Sequence, residues 1–124
     1  MVQATDSSAE LPLNIVDLLL RVDNDQELLR ELLQLFKEEC PRLMQVLEVA
    51  VSKQEMKAVE TTSHSLKGML ANLSATRAAS AASRLEELGR ADEPSQLKGE
   101  LAVLESELAV LLLELDTWLE VKKT

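Results

Sequence analysis

Apolar residues along this chain recur at intervals of three and four, the period of amphipathic helices, with almost no alternation of the kind strands show. A short amphipathic helix is predicted over residues 13–22. Asp23-Asn24-Asp25 then reads as a turn, with Asn24 or Asp25 capping the orphan backbone donors of a second helix. That helix carries a stripe of Leu28, Leu29, Leu32, Leu35, Phe36, Leu43, Val46, Leu47 and Ala50. Pro41 interrupts it at a cost of roughly 3 kcal/mol. A fresh start there would leave Cys40 as a poor cap, and the stripe continues past the proline, so one kinked helix is expected. Polar Ser52-Lys53-Gln54 precedes a third helix over residues 55–73. Ser74 is expected to cap a fourth, over residues 75–90, rich in Ala78, Ala79, Ala81 and Ala82 and ended by Gly89 and Ala91-Asp92-Glu93. Pro94 suits the first turn of a last helix over residues 94–119. Its Leu97, Leu101, Leu104, Leu108, Leu111, Leu115 and Trp118 form a bundle-type seam.

Four long helices with short connections predict an all-α fold, an antiparallel up-down four-helix bundle with a short extra N-terminal helix. Residues 1–10 read as a loose tail and residues 11–124 as a single domain, with no internal repeat and no dividing linker.

Composition sharpens this. Hydrophobic residues make up 46% of the 124 residues, enough for a core, while aromatics at 2% are too few for a typical sheet interior. The net charge of −9 repels phosphate backbones and anionic lipid, arguing against nucleic-acid binding and membrane docking. Met1 to Glu10 is polar, without the apolar core of a signal peptide, and the apolar run from Leu108 to Leu113 falls far short of the roughly 20 residues of a membrane span. A single cysteine, Cys40, excludes an internal disulfide; packing is its expected role. A cytoplasmic protein, monomeric because its seams can all be used within one bundle, is the expectation.

The chemistry concentrates in His64-Ser65-Leu66-Lys67-Gly68, which contains the only histidine. At about 100° per residue, with Leu66 at zero, Val59, Ser63, Leu70 and Leu73 lie within about 60° and form a buried stripe, flanked by Met56 and Met69. His64 lies at about 160°, among Lys57, Glu60, Lys67, Gly68 and Ala71, facing solvent. This removes the role of a satisfied core histidine and leaves a plain alternative, an ordinary exposed His beside an ordinary exposed Lys. Gly68 weighs against the plain alternative. A mid-helix glycine costs about 1 kcal/mol relative to Ala, and one placed a turn from the only His suggests that something approaches closely there. An exposed imidazole is largely neutral and nucleophilic at neutral pH, and a neighbouring ammonium can neutralise phosphoryl oxygens as a point cation. The only base within helical reach of the ring is Glu60.

Other chemistries fail on the residues. A di-iron bundle needs two Glu-x-x-His pairs, but one His exists and Thr61 precedes it by three. No His-Glu-x-x-His motif, glycine-rich phosphate loop or nucleophile elbow is present. Glu100, Glu105, Glu107 and Glu114 read as a solvated face of the last helix.

The stretch Ser63-His64-Ser65-Leu66-Lys67-Gly68, with Ala71-Asn72-Leu73, resembles the signature of histidine-containing phosphotransfer (HPt) domains. Asp17-Leu18-Leu19, Arg21-Val22-Asp23, the Leu-rich helix with Pro41, and Leu85-Glu86 fit bacterial members, so the resemblance covers residues 13–119. It implies that His64 is phosphorylated on its distal ring nitrogen, that Lys67 lies beside the phosphoryl group and that Gly68 leaves room for the partner. Glu60, Ala71 and Asn72 are the expected docking residues. The implied partners are receiver domains of two-component phosphorelays, a hybrid kinase's receiver among them. The Mg2+ belongs to the receiver, so no metal, cofactor or ATP site is expected in this chain, a carrier rather than an enzyme. Ser74, at the bend after the third helix where many members have Gly, and Met69 and Leu70, where small residues are frequent, depart from the pattern.

Two other classes share these features. The phospho-accepting domain of a chemotaxis-type kinase would take phosphate from an ATP-binding domain. A helical adaptor would keep the fold without the chemistry; His64, Lys67 and Gly68 together argue against it.

Overall fold

The structure, a computed structural model, describes residues 14–123, with side chains to residue 120. The expected tail over residues 1–10 and the expected helix start at Leu13 lie outside the described residues. Five α-helices follow in order: α1 (Ile15–Arg21), α2 (Gln26–Ser52), α3 (Met56–Asn72), α4 (Thr76–Ala91) and α5 (Leu97–Lys123), the last preceded by a 3-10 turn (Pro94–Gln96). They form the expected all-helical bundle. Cross-links fix the neighbours. Glu60 and His64 of α3 meet Arg90 and Glu86 of α4, in reversed order along the chain. Arg77 and Arg84 of α4 meet Glu107 and Glu100 of α5. Arg30 of α2 donates to the Leu119 carbonyl, and Lys37 pairs with Asp116. No described helix is long and apolar enough to cross a membrane.

Leucines fill the core, with Leu29, Leu33, Leu47, Leu66, Leu70, Leu85, Leu97, Leu104, Leu111 and Leu115 fully enclosed. The α5 seam is largely as expected, with Leu101 and Trp118 only half-buried. The α2 stripe needs correction. Leu28, Leu32, Leu35 and Val46 are 41–57% exposed. The buried register is Leu29, Leu33, Phe36, Cys40, Met44, Leu47, Ala50 and Val51, and the helix runs through Pro41 without a break. Burial pushes the Cys40 thiol up to about 11, so it packs as a small apolar group and stays protonated at neutral pH.

Helix ends supply two further corrections. Asp25 caps α2 as expected, its carboxylate accepting from Leu28 N at 3.0 Å. Ser74 does not cap α4. It sits in the left-handed region at φ 56°, and the N-cap position is Ala75, with no side-chain cap. The bonds from Ala75 N to the Leu70 carbonyl and from Ser74 N to the Ala71 carbonyl close α3 as a Schellman motif. That conformation explains why glycine is favoured at this bend. Gly89 does not end α4 either. It lies buried inside the helix, and the left-handed residue that stops the chain is Asp92, at φ 58°.

Gly89 instead sets a close backbone contact between α3 and α4. A Cβ there would lie 2.7 Å from the Glu60 nitrogen and 2.9 Å from the Met56 carbonyl, so the α3 and α4 backbones touch. Ala78, Ala81 and Ala82 extend this narrow seam along α4. α1 closes over the far end. Arg21 Nη1 donates to the Ala71 and Asn72 carbonyls at 3.4 and 3.3 Å, adding a side-chain donor to the carbonyl end of α3. Asp17 accepts from the Ser74 hydroxyl and pairs with Arg21 Nε at 3.2 Å. The turn after α3 is thus pinned from outside.

Candidate functional site

The wheel drawn from sequence places α3 correctly. Val59, Ser63, Leu66 and Leu70 are buried along it and Leu73 just beyond, while His64 stands outward with its side chain 68% exposed. Lys67 and Gly68 flank it, Lys67 half-exposed and Gly68 open, with nothing within 4 Å of an added Cβ. Ala71 and Asn72 continue the exposed strip. Glu60 is half-buried one turn earlier. The structure therefore brings all six expected site residues onto one ridge.

The ring does have a carboxylate partner, and it is not Glu60, the one candidate that the turn of α3 offered. Glu60 Oε2 faces Arg90 Nε at 3.4 Å, and its Oε1 lies 3.8 Å from Lys57. His64 Nδ1 instead lies 2.9 Å from Glu86 Oε2, on α4. Glu86 is buried, its side chain 6% exposed, and it gathers three donors. Lys67 Nζ reaches Oε1 at 2.6 Å, and Arg90 Nη2 shares Oε2 at 3.0 Å. The hydrogen bond from Lys67 lowers the Glu86 carboxyl below the usual range against the opposing pull of burial, with a smaller contribution from His64. Glu86 is accordingly a carboxylate at neutral pH. A carboxylate only accepts, so Nδ1 carries the proton, and in the neutral ring the lone pair is on Nε2, toward solvent.

Sequence reasoning missed Glu86 as a site residue because its contact joins residues 22 apart in sequence. A signal was there: Ala78, Ala82, Leu85, Glu86 and Gly89 recur at core spacing, so an acid stands among residues facing α3.

The ridge has a hollow on each side. Lys67, Ala71, Asp17, Arg21, Ser74 and Ser80 contribute to a polar groove of about 490 Å³ between α1, α3 and α4. On the α2 side, Leu32, Leu35, Phe36, Met69, Asn72 and Leu73 line a smaller apolar one of about 230 Å³. Met69, expected to pack, is half-buried against the core and also forms this wall. His64 lines neither, so the imidazole offers a nucleophile on an open surface. Glu100 and Glu107, expected on a solvated face, are half-buried and paired with Arg84 and Arg77.

A family model described as "Hpt domain" matches residues 31–120 of the chain. No curated protein and no solved structure matches it.

Proposed function

Because the chain belongs to the Hpt domain family, which carries histidine phosphotransfer in two-component signalling, we propose that His64 is its phosphoacceptor, loaded from the aspartyl phosphate of one receiver domain and unloaded to another. The observation that carries this assignment is the bond between His64 Nδ1 and the buried Glu86 carboxylate, which turns the Nε2 lone pair outward. In the forward step Nε2 attacks phosphorus, the Nε2–P bond forms, and the P–O bond to the aspartate breaks. The aspartate leaves as a carboxylate. Nδ1 keeps its proton, and the positive charge that develops on the ring lies 2.9 Å from Glu86. Lys67 supplies positive charge to the phosphoryl oxygens. Unloading is the same step reversed onto a second aspartate. The Mg2+ of this reaction is assigned to the receiver, and no cofactor or ATP site is assigned to this chain. Glu60, Ala71 and Asn72 serve as docking residues around the ridge.

The test is transfer from a phosphorylated receiver domain to the full chain. Acid-labile, base-stable label mapped to His64 by tandem mass spectrometry is the expected result. Label supplied only by a kinase's ATP-binding domain would move the donor from receiver to kinase. A folded bundle that takes label from neither would leave the adaptor reading.

Two variants probe the neighbours. Lys67→Ala is expected to slow transfer roughly tenfold, equivalent to about 1.4 kcal/mol of transition-state stabilisation. The fold should persist, because Glu86 keeps Arg90 and His64. Full-speed transfer in single-turnover assays would remove Lys67 from the chemistry. Gly68→Gln is expected to block receiver binding, since a side chain there projects into the space a partner would occupy. The same variant should melt higher, because Gln gains about 0.5–1 kcal/mol of helix propensity over Gly. Unchanged affinity and transfer in Gly68→Gln would refute the clearance role.

A further inference from the structure

The three donors on Glu86 are not equivalent. Among the described residues Lys67 alone occupies Oε1, at 2.6 Å, while His64 and Arg90 share Oε2, at 2.9 and 3.0 Å. Lys67 can therefore leave without disturbing the bond that orients the ring. Arg90 is held by a second carboxylate as well. Its guanidinium stands one turn beyond Glu86 on α4 and is held from the other side by Glu60 of α3, Nε to Oε2 at 3.4 Å.

Lys67 has two competing anions once His64 is loaded. In the resting protein its ammonium is committed to Glu86. A dianionic phosphoryl group on Nε2 draws that ammonium outward. Departure of Lys67 would leave Glu86, nearly excluded from solvent, facing a new dianion with less compensating charge. Arg90 is the cation that remains.

Resting on the assignment of His64 as phosphoacceptor, we infer that Arg90 is a positioning residue that releases Lys67 from Glu86 to the phosphoryl group while holding Glu86 on the ring. Arg90 touches no reacting atom. It acts by making the Lys67–Glu86 pair dispensable at the moment of transfer. Without Arg90, Glu86 retains Lys67, and the phosphoryl oxygens lose their point cation. The effect of Arg90 must then run through Lys67.

The experiment is a double-mutant cycle on phosphoryl uptake from phosphoramidate, a donor that needs no receiver. Nε2 attacks phosphorus, the P–N bond of the donor breaks, and ammonia leaves. Wild type, Arg90→Ala, Lys67→Ala, the double variant and Arg90→Lys are compared. Arg90→Ala is expected to slow uptake about fivefold, within the range of measured coupling between contacting residues. The double variant should be no slower than Lys67→Ala alone, and Arg90→Lys should recover part of the rate. The resting His64 tautomer, read by 15N NMR, should remain Nδ1–H in Arg90→Ala, because Lys67 still holds Glu86. Multiplying rate losses in the double variant, or a wild-type rate in Arg90→Ala, would overturn the inference. A purely structural strut would lower the melting temperature without this epistasis, which also overturns it. Wild-type protein that takes no label on His64 from phosphoramidate or from any receiver would instead sink the phosphoacceptor assignment, and the inference with it.

Discussion

His64→Gln is expected to reduce phosphoryl label from any donor to background while leaving the bundle intact. The chain has one histidine, so no second imidazole can take over. The fold does not depend on it. The His64 side chain is mostly exposed and stands apart from the leucine core. Glutamine suits a helix, and its amide can donate to Glu86 Oε2 where the ring did. Glu86 also keeps Lys67 and Arg90. The change in unfolding free energy should stay within about 0.5 kcal/mol, the usual range for surface substitutions. Transfer assays beside a circular-dichroism melt separate the two outcomes. Label surviving at wild-type level would place the acceptor on another residue type and undo the assignment.

The second large effect concerns stability. Substituting alanine at each of two helical glycines should move stability in opposite directions. Gly89→Ala drives a Cβ to 2.7 Å from the Glu60 nitrogen and 2.9 Å from the Met56 carbonyl, and both contacts are backbone. The helices must separate or shift. Such overpacking costs about 1–3 kcal/mol or more, which outweighs the helix-propensity gain. For a domain of this size each kcal/mol lost lowers the melting temperature by about 4 °C. Separation of α3 and α4 also pulls Glu86, one turn before Gly89, away from His64, so transfer should fall together with stability. Gly68→Ala meets nothing within 4 Å and should gain about 1 kcal/mol. Paired thermal melts decide the matter, and two shifts of the same sign would show that the α3–α4 contact is looser than described.

These two glycines also show what was legible in the sequence. Both sit in helices, and residue type alone cannot distinguish a glycine that faces open space from one pressed on a neighbouring backbone. Gly68 could be placed, because its position relative to His64 and Leu66 depends only on the turn of one helix. Gly89 could not, because its role depends on how α4 crosses α3. Glu86 was hidden for the same reason. On α2 the difficulty was different: leucine occupies Leu28, Leu29, Leu32, Leu33 and Leu35, so more than one stripe can be drawn, and tertiary packing selects Leu29, Leu33 and Phe36. Helix ends were obscured by chemistry. The left-handed turn residues are Asp23, Asn24, Gln54, Ser74 and Asp92, where a glycine would have marked the stop.

The position of His64 on an open ridge has a consequence in time. On the proposed assignment, a phosphoryl group on His64 would be open to water as well as to a receiver, because among the described residues no groove wall covers the ring, whose side chain is 68% exposed. A signal stored in this way would decay on its own clock. Memory in such a relay is bounded by hydrolysis, and fidelity requires that the next receiver collect faster than the charge leaks away.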